Sequence, residues 1–333
     1  MHTLTFQALR LLADGEFRSG EAIARALGVS RASVWNALHA LDGTGIEIFS
    51  VRGRGYKLAE PLPLLNGAAV TSRLGARAGA FRLEIHESMQ STNTALLEQA
   101  AAGAASGSVI ATEWQTGGRG RRGRPWHAGP GTSLTFSLLW RFQRGAGHLA
   151  GLSLTVGVAV ARALATVGVE ARLKWPNDVL WRGGKLAGIL IEVQGDVLGP
   201  SAAVIGVGIN CRLPEAVRDR IDQAVVDLHK ATGAQCDRNE LLASLLLELE
   251  RALEAFARNG FADARDEWHA RHAHQGKQVQ LTLPDGSVIE GVAEGVAEDG
   301  SLVVMTHNGR RRLHSGDVRL RGVKPLTSAG SVQ

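Results

Sequence analysis

Between Gly117 and Trp126 the chain reads Gly-Gly-Arg-Gly-Arg-Arg-Gly-Arg-Pro-Trp, four arginines and four glycines in ten residues. Glycines let backbone N–H groups come close to an anion, and guanidinium groups are permanently charged forks that match carboxylates and phosphates. The loop is not a P-loop, because the Gly-Lys-Ser/Thr ending is absent. On its own it also fits a solvated basic loop that touches nucleic acid. Its setting argues for a small anionic ligand. Residues 109–111 read as a buried strand before it and 133–140 as another after it, so the loop at 112–126 hangs between core strands and is placed to close over a site.

Other stretches carry chemistry-bearing residues. Ser91, Thr92 and Asn93 stand before a helix expected over 94–102, after a strand at 84–87. They suit an N-cap, and equally the polar, uncharged head of a ligand. Lys174 lies between Leu173 and Trp175 in a strand that Pro176 breaks and 179–181 resumes. Such a lysine is either a solvent-face residue or a cation awaiting an anion. Gly188 interrupts a return strand at 185–192, and Gly206 and Gly208 alternate in the strand at 203–210. Alternate residues face one way, so this pair clears one face for a ligand or for a helix packed on top. His269, His272 and His274 have no strong partner ligands and read as a polar helix end, with no metal site.

The flanks have their own logic. In the first segment Phe6, Leu9 and Leu12 mark one helix. Ser19 caps a second with Ile23, Ala26 and Leu27 inward, and Ser30 caps a third with Val34, Leu38 and Leu41 inward. A Gly28 turn joins the last two, which makes a helix-turn-helix. The other face of the third helix offers Ser30, Arg31, Ser33, Asn36 and His39 to a major groove. A hairpin follows with Arg52 and Arg54 at its tip, the wing of a winged helix. A three-helix module for protein contact would not need those arginines. After Pro61 and Pro63 the chain enters a new domain. Beyond 275 short strands with an Asp285-Gly286 turn suggest a small SH3-like barrel, and 327–333 has the composition of a disordered tail. The expected divisions are 1–62, 63–274, 275–326 and 327–333.

Composition sets outer bounds. The chain has 333 residues, is 44% hydrophobic and carries a formal net charge of +5, so nucleic-acid contact is permitted but not required. Two cysteines, Cys211 and Cys236, exclude a disulfide framework and fit a reducing, cytoplasmic setting. The most apolar stretch, 150–169, contains Arg162 and reads as a buried helix, so no membrane span is expected.

Four separated motifs then agree: Ser91-Thr92-Asn93, the run from Gly118 to Trp126, Lys174-Trp175-Pro176-Asn177-Asp178 with 185–190, and Gly206-Val207-Gly208-Ile209-Asn210. In this order they resemble biotin–protein ligases, and the winged helix in front makes the chain similar to the bifunctional form that is also a biotin-operon repressor. The resemblance implies an α+β multidomain chain whose central mixed α/β domain is related to class II aminoacyl-tRNA synthetases. It implies biotin and ATP with Mg²⁺ as substrates and no tightly bound cofactor. Biotinoyl-5′-AMP forms first, and biotin then passes to a lysine of a biotin carboxyl carrier protein.

By the same resemblance Ser91, Thr92, Asn93 and Gln115 line the biotin head site. Arg119, Gly120 and Arg121 hold biotin and the adenylate, and Arg124 neutralises pyrophosphate. Trp126 packs on adenine, Lys174 polarises the carboxylate and α-phosphate, and Asp178 meets Mg²⁺ or the acceptor lysine. Gly188, Gly206 and Gly208 make room for biotin, and Lys185 and Asn210 face the nucleotide. A homodimer on adenylate binding and an operator DNA are implied too. Gln90 and Pro125 depart from the family pattern, which has an acid and a lysine there. A lipoate-type ligase and a non-catalytic biotin-sensing transcription factor are the competing readings.

Overall fold

The computed structural model describes residues 3–320; the expected tail at 327–333 and the end of the last segment lie outside the described residues. Helices α1 (Thr3–Leu12), α2 (Gly20–Leu27) and α3 (Arg31–His39) close around Phe6, Leu9, Ile23, Val34 and Leu38. The Ser19 and Ser30 hydroxyls accept from the Ala22 and Ser33 amides at 3.0 and 3.1 Å and start α2 and α3. Gly28 ends α2 with φ of 65°, a left-handed position suited to glycine. One inward residue differs from expectation: Ala24 is buried and Ala26 is exposed. The inward stripe is centred on Ile23, Ala24 and Leu27, and Ala26 lies roughly 100° away around the helix. Strands β1 (Ile48–Val51) and β2 (Gly55–Leu58) form the hairpin, with Ile48 opposite Leu58.

After helix α4 (Gly67–Leu74), which the apolar pattern did not suggest, the chain builds a seven-stranded sheet. Its strands are β3 (Arg82–Met89), β4 (Ser108–Gln115), β5 (Ser133–Phe142), β6 (Arg172–Lys174), β7 (Asp178–Trp181), β8 (Gly184–Gly195) and β9 (Ser201–Asn210). The order is β3-β4-β5-β9-β8-β7-β6, with β3 and β4 parallel and every other pair antiparallel. Residues 112–115, expected in the loop, extend β4 instead. Strand alternation sorts the faces. Ile110, Leu139 and Val204 pack under helix α5 (Thr92–Ala101). Val109, Phe136, Leu138 and Ile205 belong to the larger core that includes helix α6 (Leu152–Ala165). Two short helices follow, α7 (Glu215–Arg218) and α8 (Leu228–Thr232), then α9 (Arg238–Asn259) and α10 (Ala262–Arg271).

The last unit is an antiparallel sheet of β10 (Gln278–Thr282), β11 (Val288–Val296), β12 (Leu302–Thr306), β13 (Gly309–Leu313) and β14 (Asp317–Leu320), in the order β13-β12-β11-β10-β14. Its buried Val279, Leu281, Ala293 and Val304 join the central core. That continuity brings β14 to the edge of the Gly/Arg loop. Among the described residues no helix is long and apolar enough to cross a membrane.

Candidate active site

Every ligand residue expected from the motifs lines one cavity: Ser91, Thr92, Asn93, Gln115, Arg119, Gly120, Arg121, Arg124, Trp126, Lys174, Asp178, Lys185, Gly188, Gly206, Gly208 and Asn210. The cavity has two ends of different chemistry. At the neutral end the Ser91 hydroxyl caps α5, accepting from the Thr94 amide at 3.4 Å. Thr92 and Asn93 thereby occupy the first turn, where their side chains reach the sheet. The Thr92 amide donates to Gln115 Oε1 at 2.8 Å, and the Thr92 hydroxyl lies 2.7 Å from that of Ser137. Ser137 donates to Asn93 Oδ1 at 2.6 Å, and Asn93 Nδ2 donates to Glu192 at 2.8 Å. Arg119 closes the ring by donating to the same carboxylate at 2.9 Å and to the Thr94 hydroxyl at 2.8 Å. A hydrogen-bonded chain of this kind holds each amide and hydroxyl in one orientation. Ser137 and Glu192 were not singled out from the sequence, because a serine and a glutamate inside ordinary strands carry no local signal.

The alternating glycines form the floor. A Cβ on Gly206 would sit 2.2 Å from Asn93 Oδ1, and one on Gly208 would sit 2.7 Å from the Trp126 indole. Trp126 also covers Gly188, whose Cβ would meet the ring at 3.2 Å. The indole therefore occupies the space those glycines open, and its buried Nε1 has no hydrogen-bond partner.

At the charged end β6 and β7 pair through a tight hairpin with a cis Trp175–Pro176 bond, which sets Lys174 across from Asp178. The Asp178 carboxylate accepts from Lys185 Nζ at 2.7 Å and lies 3.6 Å from Lys174 Nζ. Both ammonium groups are mostly buried. Arg121 donates to Asn177 Oδ1 at 3.4 Å, and burial makes its proton easier to lose than usual, against the attraction of Asp178. Arg124 pairs with Asp317 of β14, and that hydrogen bond raises the Arg124 pKa. Burial pushes the Asp317 carboxyl up, but the bond and charge of Arg124 outweigh it and hold the group below its ordinary range. Asn210 lines the cavity while its amide donates to the Lys185 and Val226 carbonyls at 3.2 and 3.1 Å. The loop itself is a folded hairpin: Trp126 N–H donates to the Gly118 carbonyl at 2.9 Å, and Gly120 N–H to the Arg124 carbonyl at 2.7 Å. Pro125 follows without interrupting those bonds.

Comparison with known proteins gives the family. A model described as the Biotin/lipoate A/B protein ligase family matches residues 85–210, an HTH domain model matches 5–57, and a Biotin protein ligase C terminal domain model matches 274–321. The Bifunctional ligase/repressor BirA of Escherichia coli (strain K12) is 34% identical over 97% of this chain and 99% of its own length. The chain belongs to the biotin–protein ligase family, in its bifunctional ligase/repressor form. The Biotin--[acetyl-CoA-carboxylase] ligase of Mycobacterium tuberculosis is 37% identical over 74% of this chain and 91% of its own. A solved biotin protein ligase from Aquifex aeolicus, in complex with biotin and ATP, superposes with a TM-score of 0.61 at 29% identity, covering 72% of this chain and 98% of that one.

In this ligase the expected DNA face is mixed. Arg31, Asn36, His39, Arg52 and Arg54 are exposed, and Ser33 is half-buried. The Ser30 hydroxyl is spent capping α3 and lies 2.9 Å from that of Ser33. The Arg54 guanidinium rests over the Phe17 ring at 4.0 Å, which steadies the wing tip. Trp35 was missed. It is 50% exposed, with its ring 3.8 Å from that of His39.

The histidines correct another expectation. His272 and His274 are buried in the fold. Burial lowers both pKa values to about 4, and Lys174 adds to the effect at His274. Among the described residues no three His, Cys, Asp or Glu side chains are grouped to hold a metal.

Proposed function

We propose that this chain is an ATP-dependent biotin–protein ligase that also binds operator DNA as a repressor of biotin genes, with biotinoyl-5′-AMP as corepressor. The observation that carries the reading is one cavity with a neutral hydrogen-bonding end and a cationic end, joined by the Gly/Arg loop. Biotin's ureido ring has donors and acceptors and no charge, which suits Ser91, Thr92, Asn93 and Gln115. The triphosphate suits Arg121, Arg124, Lys174 and Lys185. In the first step the biotin carboxylate attacks the α-phosphate and pyrophosphate leaves. In the second an amine of the carrier lysine attacks the acyl carbon and AMP leaves. Both steps gather negative charge on oxygen, so fixed cations and N–H groups are the main catalytic resource and no protein nucleophile is needed.

Lys174 polarises the carboxylate and α-phosphate oxygens, and Arg121 retains the adenylate. Arg119 and Gly120 lie along biotin, Arg124 meets pyrophosphate, and Asn210 meets the nucleotide. Trp126 leaves the glycine floor of Gly188, Gly206 and Gly208 when biotin enters, and then stacks on adenine. Magnesium arrives with ATP as substrate. Asp178 fits a contact to it through spare lone pairs, although Lys185 and Lys174 already neutralise its charge, so the phosphates supply most ligands.

In this reading the DNA contacts come from Ser30, Arg31, Ser33, Asn36, His39, Arg52 and Arg54, and a homodimer formed on adenylate binding reads a near-palindromic operator. The acceptor is a biotin carboxyl carrier protein, and the setting is the cytoplasm. The domain divisions proposed are 1–62, 63–274 and 275–326. The central sheet is related to class II aminoacyl-tRNA synthetases, and the last one is an SH3-like barrel.

The test is the intact mass of a biotin carrier domain incubated with the chain, biotin, MgATP and, in parallel, lipoate. One biotinoyl group gained and no lipoyl group supports the ligase. Biotin bound without transfer or pyrophosphate release favours a sensor.

A further inference from the structure

Helix α3 has two faces. Val34, Ala37 and Leu38 are buried and supply its packing. Arg31, Ala32, Trp35, Asn36 and His39 are all exposed. Arg31, Trp35 and His39 follow one another at four-residue steps and so form one row, with Ala32 and Asn36 in the row beside it. Trp35 is the unusual member, a large apolar side chain with half of its surface open to solvent. Its ring is nonetheless held in place. The His39 imidazole lies 3.8 Å from it at an interplanar angle of 31°, and His39 Nδ1–H donates to the Trp35 carbonyl at 2.9 Å. A ring fixed before contact loses little freedom when a partner covers it.

The surroundings say what that partner is. Among the described residues none of Arg31, Arg52, Arg54 and Lys57 pairs with a carboxylate, and the Arg54 guanidinium rests instead on the Phe17 ring. A helix and a wing that carry unneutralised cations fit a polyanion, and the phosphates of a duplex are one. In a major groove Arg31 has guanine as its partner and Asn36 has adenine. An indole has neither a matching donor nor a matching acceptor pattern there. The one apolar group on the major-groove edge of the bases is the C5 methyl of thymine. Setting the Trp35 ring against any other base edge leaves polar atoms without partners, which costs affinity.

We propose that Trp35 is a specificity-determining residue of the DNA contact that reads a thymine methyl in the major groove, with His39 as the residue that positions its ring. The inference rests on the operator binding proposed above. It adds a base identity to that reading: each half-site contains a thymine next to the bases met by Arg31 and Asn36. The discrimination is between a methyl and a hydrogen, so it is independent of the phosphate contacts that supply most of the attraction.

The experiment uses the full chain with biotin and MgATP and a library of random-sequence DNA duplexes. The duplex enriched by binding supplies the site. Each of its thymines is replaced in turn by deoxyuridine, which lacks only the C5 methyl, and Kd is read by fluorescence anisotropy at one fixed salt concentration. At one thymine of each half-site the wild-type chain should bind the deoxyuridine duplex about fourfold more weakly, the effect of one buried methyl. Trp35→Ala should bind the thymine duplex more weakly and should no longer distinguish thymine from deoxyuridine at that position. Its biotinoyl transfer to a carrier domain should equal that of wild type, which shows a folded chain; if it does not fold, Trp35→Gln takes its place. An equal response to deoxyuridine in wild type and variant at every thymine, or a selected half-site without thymine, overturns the proposal. So does a variant whose DNA affinity is unchanged and whose dimer is weaker by light scattering, since the ring is then a contact between two chains. Enrichment of no duplex at all overturns the operator reading itself, and the role of Trp35 with it.

Discussion

The two ends of the ligand cavity are built on different principles. At the neutral end each polar group is satisfied by another, Thr92 by Gln115, Ser137 by Asn93, and Asn93 by Glu192. At the charged end the cations of loop and hairpin rest on carboxylates of the same chain, Lys174 and Lys185 on Asp178 and Arg124 on Asp317. The first arrangement recognises by shape and hydrogen-bond direction, and little in it needs to move. The second stores cations beside counter-ions, ready to turn to a triphosphate, and it depends on β14 from the last domain. In the proposed function, specificity for the acid resides at one end and chemistry at the other.

The largest break in that division is expected from Lys174→Ala. Removing a cation aimed at developing oxyanion charge costs about 10²–10³-fold in rate. Pyrophosphate exchange should fall by that factor while isothermal titration still detects biotin. Exchange within tenfold of wild type would remove Lys174 from the chemistry.

His272 and His274 are buried, and the charge of Lys174 at the charged end acts on His274. Their folded pKa values of about 4 lie below the ordinary 6.5, so the unfolded chain binds more protons between those values. Their contribution is complete above pH 6.5 and is lost as pH falls toward 4, by roughly 3 kcal/mol each. The melting temperature should drop steadily from pH 7 to pH 5. A flat profile would mean the imidazoles are not held neutral.

Gly206→Ala tests the neutral end, because the new Cβ meets Asn93 Oδ1. Overpacking of about 1–3 kcal/mol should appear as weaker biotin binding with the ATP KM unchanged. Unaltered biotin affinity would show that the floor is not the ring site. Ser137→Ala removes the hydroxyl that meets both Thr92 and Asn93, at roughly 1 kcal/mol, and should raise the biotin KM several-fold. An equal rise in the ATP KM would erase the distinction between the ends. The smallest effect is that of salt. From low to physiological ionic strength the ATP KM should rise more than the biotin KM, since the exposed Arg124 is screened and the hydroxyl and amide hydrogen bonds of Thr92, Asn93 and Ser137 are not. Parallel curves would count against the division.

Much of this was legible in the chain. Glycines and arginines in the Gly117–Trp126 run, the alternation of Gly206 and Gly208, and the caps at Ser19, Ser30 and Ser91 all announce themselves, because their effect is local. Ser137, Glu192 and Asp317 do not, because each acts on a partner far along the chain. Trp35 was not singled out from the sequence, and the histidines were read as polar because side-chain type alone does not report burial. Ala24 and Ala26 could not be told apart, since alanine carries little hydrophobic signal.

By itself the sequence marked the residues that line the cavity, their order, and the succession of helix-turn-helix, sheet and terminal strands. These follow from periodicity, turn residues and caps, which act over a few positions. Only the tertiary structure decided what neutralises the cations, what fills the glycine floor, and that the last sheet reaches the loop. Those outcomes come from long-range packing of one continuous core, where burial and pairing are set jointly by segments that no local pattern connects.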